Sequence, residues 1–419
     1  MGPEDRVDFK TVLGRKDFFR LWLSQAVSLL GDRLTQVALF IFILELAHGS
    51  AAAVGVFLAC QALPLIIFGP LAGVFVDRWD KRRTMVVCDV VRAVIIAVVP
   101  LLGDARLVYV MAFLMATVST LFNPAIMATT PELLGRREEI LVANSLMYST
   151  KFLTDIIGFT LAATIVLAIG VKAAFILDAL TFLASAALIM LIQKRFPAPK
   201  RKTLDFTGVW EDLGAGIRYH RQNPVVLSLL ISFSLGVLAM GGLNTLLLVA
   251  VDRLLAVERF WYGYLLAVQG VTMFATTLAI GKWAQKVPRP VLILPGFLVT
   301  GLCAVALSVT RDLGLAFGIY AVIGVANSLF LVPSVAWIQE VVPFEFRGRV
   351  MALRMMVLNL AAVCSYIITG RLGDTLGVTP AMAGVGLLLV FTAIVSAALP
   401  GFRLTPTRQP GSELPSAPG

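Results

Sequence analysis

Residues 73–83 read Gly73-Val-Phe-Val-Asp77-Arg78-Trp-Asp80-Lys81-Arg82-Arg83. One apolar run ends on this stretch and another begins just past it, with Arg78, Lys81, Arg82 and Arg83 crowded into the gap. Two apolar runs of about 20 residues each, parted by so short a charged segment, fit two helices that cross a bilayer and turn at its surface. The same reading carried outward, with charged or Gly/Pro clusters as breaks, predicts spans of about 20 residues near 18–47, 52–77, 84–102, 107–130, 141–169 and 173–193. A polar interval follows from Lys194 to Asn223. Six further spans are predicted near 225–251, 260–284, 290–310, 313–340, 348–374 and 378–401, again at about 20 residues each.

Composition agrees with this and excludes other classes. Hydrophobic residues make up 58% of the chain and charged residues 14%, the mean hydropathy is +0.89, and soluble proteins carry about 25% charged residues. A net charge of +10 would suit a nucleic-acid binder only if the bases formed one patch; here they punctuate apolar runs. Cys60, Cys88, Cys303 and Cys364 all fall inside such runs and read as buried free thiols. With two histidines, neither His48 nor His220 in an apolar run, no metal framework or intramembrane hydrolase site is visible. The first run is too long for a signal peptide core of about 7–15 residues, so it is expected to stay as the first helix.

Loop charge gives orientation. One set of loops holds Arg6, Lys10, Arg15, Lys16 and Arg20, then Arg78 to Arg83, Arg136 and Arg137, the bases between Lys194 and Arg221, Lys282, Lys286 and Arg289, Arg347 and Arg349, and Arg403 and Arg408; the other holds Arg106, Lys172, Arg253, Arg259, Arg311 and Arg371. The richer set belongs in the cytoplasm by the positive-inside rule, which puts both termini there and the chain in a bacterial-type inner membrane. The expected organisation is a cytoplasmic N-terminal tail 1–17, a six-helix bundle 18–193, a linker 194–223, a second bundle 224–402 and a disordered tail 403–419. Phe206, Val209, Leu213, Ile217 and Tyr219 predict an amphipathic surface helix within the linker. The halves echo each other at an offset of about 208 residues, with Gly73 opposite Gly281, Phe122-Asn123-Pro124 opposite Phe330 to Pro333, and Glu132 opposite Glu340.

The 73–83 stretch resembles the loop signature of the major facilitator superfamily. In that pattern the glycine permits close helix approach, an Asp caps the next helix and basic residues lie at the cytoplasmic surface. Gly73, Asp77, Arg78, Lys81 and Arg82 fit, Asp80 stands where glycine is usual, and the second copy, Gly281-Lys-Trp-Ala-Gln285-Lys286, has Gln at the Asp position. Phe18-Phe-Arg20-Leu-Trp22-Leu, Leu30-Gly31-Asp32-Arg33-Leu34-Thr35-Gln36, Asp89-Val-Val-Arg92-Ala93 and Asp178-Ala-Leu-Thr-Phe182 are similar to the macrolide-efflux and enterobactin-exporter branch. The resemblance covers roughly Asp17 to Phe402. It implies an all-α polytopic membrane protein, with twelve transmembrane helices in two pseudo-symmetric six-helix bundles, working as a secondary exporter of amphipathic compounds driven by protons. Drug antiporters of the superfamily carry Gly-Pro-x-x-Gly-Gly in helix 5; here Gly158-Phe159-Thr160-Leu161-Ala162-Ala163 stands instead.

Charges at membrane depth cost roughly 2.5–3.5 kcal/mol each on insertion scales and call for a role. Asp32 lies about 18 Å beyond Arg20, near the midplane, and shares a helix face with Ser28 and Gln36. It reads either as a proton-coupling or substrate-contact group or as half of an interhelical ion pair. Arg33 projects about 100° away, towards an anionic substrate or a neighbouring helix. Lys151 and Asp155, one turn apart, read as a local pair, with Asp155 as second proton-site candidate. Asp89, Arg92 and Arg354 read either as a gate near the cytoplasmic surface or as snorkelling charges, and Asp178 as structural. Gln61, Gln269, Asn327 and Asn359, with Phe57, Met273, Phe330 and Met355, either line a substrate cavity or pack between helices. The expected partners are a small amphipathic substrate, protons and the bilayer, with a monomer as working unit and neither nucleic acid, cofactor nor metal. No Gly-x-x-x-x-Gly-Lys loop points to an ATP-driven pump. A lipid flippase, a solute importer and a non-transporting receptor are the rival readings.

Overall fold

The computed structural model describes residues 8–76, 78–196, 206–283 and 287–403. A short α1 (Phe9–Leu13) leads into α2 (Lys16–Leu46), α3 (Ala51–Val76), α4 (Lys81–Val98), α5 (Ala105–Leu134), α6 (Arg137–Ile169) and α7 (Val171–Met190). Then come α8 (Phe206–Gln222), α9 (Pro224–Arg253), α10 (Trp261–Trp283), α11 (Arg289–Val309), α12 (Leu313–Val341), α13 (Phe344–Thr375), α14 (Val378–Ala398) and α15 (Pro400–Arg403). Among the described residues 12 helices, α2–α7 and α9–α14, are long and apolar enough to cross a membrane. Their bounds fall within a few residues of the expected spans, because hydrocarbon leaves a backbone no partner outside its own helix.

Local chemistry sets the helix ends, and it repeats. Asp104 caps α5 by accepting from the Arg106 N–H at 2.8 Å, and Asp312, 208 positions on, caps α12 by accepting from the Leu315 N–H at 2.7 Å. Gly170 (φ 82°) and Gly377 (φ 92°) occupy the left-handed region that lets α6 and α13 stop and the next helix start at once. Lys81 pairs with Glu132, and Arg289 pairs with Glu340 at 2.5 Å, which places the Glu132 and Glu340 positions in equivalent roles. Asp80 is the N-cap of α4, accepting from the Arg83 N–H at 2.9 Å; the residue that departs from the superfamily pattern does the capping expected of Asp77.

Apolar packing differs between the two membrane faces. One core joins both halves away from the basic loops, through Leu39, Phe40 and Ile43 of α2, Phe57 of α3, Leu247 and Leu248 of α9 and Tyr262 of α10. Nearer the basic loops the cores stay within one half, around Leu21, Met85 and Phe122 in the first and around Phe233, Phe297 and Phe330 in the second. Crossings of α3 with α13 and of α6 with α10 hold the halves together. They need glycine: a Cβ on Gly55 would strike the Tyr366 carbonyl oxygen, and one on Gly263 would stand 2.7 Å from the Ala163 Cβ.

Polar contacts seal the same face. Asp374 of α13 accepts from the Ser50 hydroxyl at 2.6 Å, the Ala51 N–H at 2.7 Å and the Ala52 N–H at 3.1 Å, so a carboxylate from one half satisfies orphan donors at the first turn of α3 in the other. Arg253 donates to the Gly49 carbonyl at 2.8 Å, and Arg259 lies 3.7 Å from Glu45. On the basic-loop face, Lys81–Glu132, Arg289–Glu340 and Arg15–Glu139 each stay inside one half.

One expectation changes, that of buried thiols, and the tail and linker gain detail. Within the supposed N-terminal tail, residues 9–13 form a helix because Val12 is fully buried, against Leu134 and Ala143; the C-terminal tail past Arg403 lies outside the described residues. The cysteines are free, but only Cys88 is buried and Cys364 is exposed, as an apolar residue on a lipid-covered helix can be. The linker helix α8 docks on protein: Tyr219 stacks on Phe346 at 5.3 Å, and Gly216 packs against the Arg349 carbonyl.

Two outcomes follow from these contacts. Replacing Asp374 by Ala removes a charged helix cap and should weaken the contact between the halves by about 1 kcal/mol, roughly a fivefold change in its equilibrium; spin-label distances across the α3–α13 ends measure it, and unchanged distances would show that the cap contributes nothing. His220 is buried under α8 with Nδ1 2.8 Å from the Gly216 carbonyl oxygen; burial, helped by the Arg354 charge, holds its pKa below the ordinary histidine value, against the pull of that hydrogen bond. The docked form therefore prefers neutral His220, and docking weakens as pH falls. Amide exchange in α8, corrected for intrinsic rate, should speed up between about pH 7.5 and about pH 5.5, and His220→Gln should flatten the response.

Candidate transport site

Charged and polar side chains gather inside the first bundle where α2, α4 and α7 meet. Gly31 lets α2 lie directly on α7, since a Cβ there would collide with the Asp178 carboxylate and the Thr181 hydroxyl. Asp178 is fully buried and accepts from the Thr35 hydroxyl and, at 2.8 Å, from the Thr181 hydroxyl. Asp89, also fully buried, pairs with Arg92 one turn on and accepts from the Ser185 hydroxyl at 2.7 Å. The Arg92 guanidinium lies between the Phe122 and Phe182 rings, at 4.0 and 4.5 Å from their centroids. Asp32 lies within electrostatic range of Arg92, Arg33 and Asp178. It is half-buried and forms no ion pair or side-chain hydrogen bond among the described residues. One guanidinium thus faces three carboxyl groups.

A second cluster crosses from α2 to α6. Arg33 pairs with Asp155 at 2.6 Å, donates to the Gln36 side-chain oxygen at 2.5 Å and stands 5.2 Å from the Phe159 ring centroid. Gly158 makes room, since a Cβ there would stand 2.8 Å from the Arg33 Cγ. The altered helix 5 motif therefore keeps its first glycine for Arg33 and uses Ala163 at the crossing with Gly263 of the other half. In the second bundle Arg354 is buried against Phe233, with its guanidinium carbon 4.9 Å from that ring's centroid.

Residues 11–410 match the transmembrane secretion effector family of the major facilitator superfamily. The chain belongs to that family. Its relatives include the MFS-type transporter YfiS of Bacillus subtilis, 25% identical over 398 residues that span 91% of this chain and 93% of that protein. Macrolide efflux protein A of Streptococcus pyogenes is 22% identical over 392 residues, 90% of this chain and 94% of that protein. The multidrug efflux pump Tap of Mycobacterium tuberculosis is 24% identical over 397 residues, 92% and 94% of the two chains. The fold superposes on the crystal structure of the nucleoside transporter NupG with a TM-score of 0.74 at 12% identity, covering 93% of this chain and 99% of that one. The protein is a multi-pass membrane transporter of small molecules with efflux-type relatives, and not an enzyme.

Within the transporter the expected site residues separate. Asp32, Asp89 and Arg92 converge with Asp178, which the sequence assigns to structure. Asp89 and Arg92 are buried in the bundle core, paired with each other on α4 and with partners on α5 and α7. The Lys151–Asp155 pair does not form: Asp155 turns to Arg33, and Lys151 is exposed. Spacing along one helix left that choice open, and the packing of α2 on α6 decides it. Ser28 is buried, while Gln61, Gln269 and Asn359 are half-buried; Asn359 donates to its own helix at the Met355 carbonyl, 2.8 Å away. Asn327 is buried beside Thr300, 3.4 Å off. Phe57 packs edge-on against Phe40 at 5.5 Å in the shared core. At the loop signature Lys81 holds Glu132 and Arg82 donates to the Met190 carbonyl at the end of α7. Arg78 sits in the turn after Gly73-bearing α3; Asp77, Gln285 and Lys286 lie outside the described residues. Thr35, Thr181, Ser185 and Asp374 escaped the sequence reading, since single hydroxyls and a carboxylate at a helix end carry no spacing signal.

Asp155→Asn strands Arg33 and should lower thermal stability by about 1–3 kcal/mol, less than for a fully buried pair because both side chains are partly exposed. The double variant Arg33→Gln, Asp155→Asn should recover most of it. Unfolding of the purified transporter in detergent measures both; equal losses in the single and double variants would mean that the pair does not couple.

Proposed function

We propose that the transporter is a proton-coupled exporter of amphipathic small molecules that works by alternating access, as a monomer in a bacterial-type inner membrane with both termini in the cytoplasm. The observation that carries the reading is Asp32: a half-buried carboxyl near mid-helix, without a fixed partner, next to a cluster in which one guanidinium already serves Asp89 and lies near Asp178. With Arg33 also in range of Asp32 but already paired with Asp155, four ionised carboxylates against the two guanidiniums of Arg92 and Arg33 would leave uncompensated charge at membrane depth, which is costly. Proton uptake removes it. A proton held at Asp32 with its site open to one side can leave when the site faces the other, which is the requirement for coupling a gradient to transport. Sealing contacts on the face away from the basic loops, and separate cores nearer those loops, correspond to a site accessible from the basic-loop side. The efflux activities named for macrolide efflux protein A and Tap support the export direction and an amphipathic cargo.

The test uses liposomes that contain the purified transporter and a trapped pH indicator, with amphipathic fluorescent dyes added. Wild type should move protons when dye is supplied, and Asp32→Asn should abolish that flux by at least about tenfold while dye binding survives. If neither protein moves protons, antiport is wrong and translocation of lipid becomes the better reading.

A further inference from the structure

Among the described residues the second bundle holds a cation with no counter-charge. Arg354 is 4% exposed, its Nε has no hydrogen-bond partner, and its Nη2 reaches only the Ser334 hydroxyl oxygen, at 3.4 Å. No carboxylate lies within ion-pair distance of it among the described residues. Five N–H donors, nearly all idle, and a full charge at membrane depth leave this group poorly compensated. The guanidinium lines a cavity of about 150 Å³ together with Phe233, Phe297, Phe330, Met240 and Asn327. Phe297 stacks on Phe330 at 4.7 Å, and Phe233 meets both. On the basic-loop side α8 supplies His220, whose imidazole carries no negative charge in either protonation state.

The internal repeat explains how such a cavity arises. At the offset of 208 that relates the capped and paired ends of the halves, Asp32 corresponds to Met240, Asp89 to Phe297 and Phe122 to Phe330. All three counterparts line the cavity. The first bundle fills this place with carboxylates around Arg92; the second has apolar side chains and a void there, and its arginine comes from α13 instead. Only the acidic groups are missing.

We propose that this cavity is a substrate subsite for the anionic end of an amphipathic molecule, an aromatic or aliphatic carboxylate or sulfonate whose acid group pairs with Arg354 and whose apolar body lies on the Phe297–Phe330 stack. The inference rests on the exporter reading for its meaning in transport, but not for its geometry. A volume of about 150 Å³ is below the roughly 300–1,000 Å³ of complete small-molecule sites; it admits one end of a ligand, and the half-exposed Leu331 marks the rim past which the remainder extends. A bidentate acid would fill the idle donors, and the ring face already at 4.9 Å from the guanidinium carbon holds the cation in place for it.

The experiment measures binding of 2-naphthoate, its neutral isostere 2-naphthamide and the cation 2-naphthylmethylammonium to the full chain in uncharged detergent. Wild type should bind the anion at least about tenfold more tightly than the amide. Arg354→Gln should erase that preference and Arg354→Lys should retain part of it. Ser334→Asp, which places a carboxylate beside an intact guanidinium, should erase it too and guards against misfolding of the first variant. Equal affinity of wild type for anion and amide, or a preference that survives in both Arg354→Gln and Ser334→Asp, overturns the subsite. Competition with phosphatidylglycerol separates a lipid phosphate from a free acid as the natural source of the anion: displacement points to the lipid, persistence to the free acid. A chain that prefers the anion yet drives no proton flux in liposomes keeps the subsite and sinks the exporter reading; the reverse pattern sinks the subsite alone.

Discussion

A guanidinium kept out of water has to be met by an anion, by an aromatic face or by something that binds to it, and this constraint organises the interior of the transporter. Arg92 takes the first two, with Asp89 beside it and Phe122 and Phe182 on either side. Arg33 takes them across two helices, with Asp155 and Phe159. Arg354 has an aromatic face and a cavity. Helix packing follows from these needs: Gly31 and Gly158 are small because a charged group passes at each, and neither position tolerates a Cβ without moving it.

The two bundles share their ends and differ in their interiors. Capping by Asp104 and Asp312, the turns at Gly170 and Gly377, and the pairs Lys81–Glu132 and Arg289–Glu340 are all helix-end chemistry, and all repeat at an offset close to 208. Such features fix loop geometry and hence the fold. Mid-helix positions carry no such duty, so one half could collect carboxylates and the other an apolar chamber without loss of architecture. The proposed division of labour, protons in the first bundle and cargo acid in the second, rests on that freedom.

Sequence reading reached the helices, their bounds and the repeat because hydrocarbon thickness and loop charge act on every span in the same way. It reached Asp32, Arg92 and Arg354 because a charge inside an apolar run is conspicuous. Partners across helices were not legible. Lys151 lies one turn from Asp155 in sequence, and Arg33 is 122 positions away, yet the distant residue forms the pair because α2 crosses α6 at Gly158. The cap at the start of α4 was not legible either: the superfamily pattern names a residue type, while the start of α4 at Lys81 makes Asp80 its N-cap.

Reversible closure, as proposed, also sets limits on energy. A transporter that alternates must keep its sealed and open forms within a few kcal/mol, since reversing a population from 1:99 to 99:1 already needs about 5.5 kcal/mol of differential binding. The seal here suits that range. Beyond the shared apolar core its polar contacts among the described residues include one carboxylate capping α3, one arginine on a carbonyl, the Thr164–Tyr264 hydroxyl pair at 2.8 Å and a loose Arg259–Glu45 contact, each a contribution on the order of 1 kcal/mol at a partly exposed site. Protonating Asp32 or placing an acid on Arg354 changes buried charge, and buried charge is worth more than any one of these contacts. Either event is therefore large enough, in the proposed cycle, to decide which face is sealed.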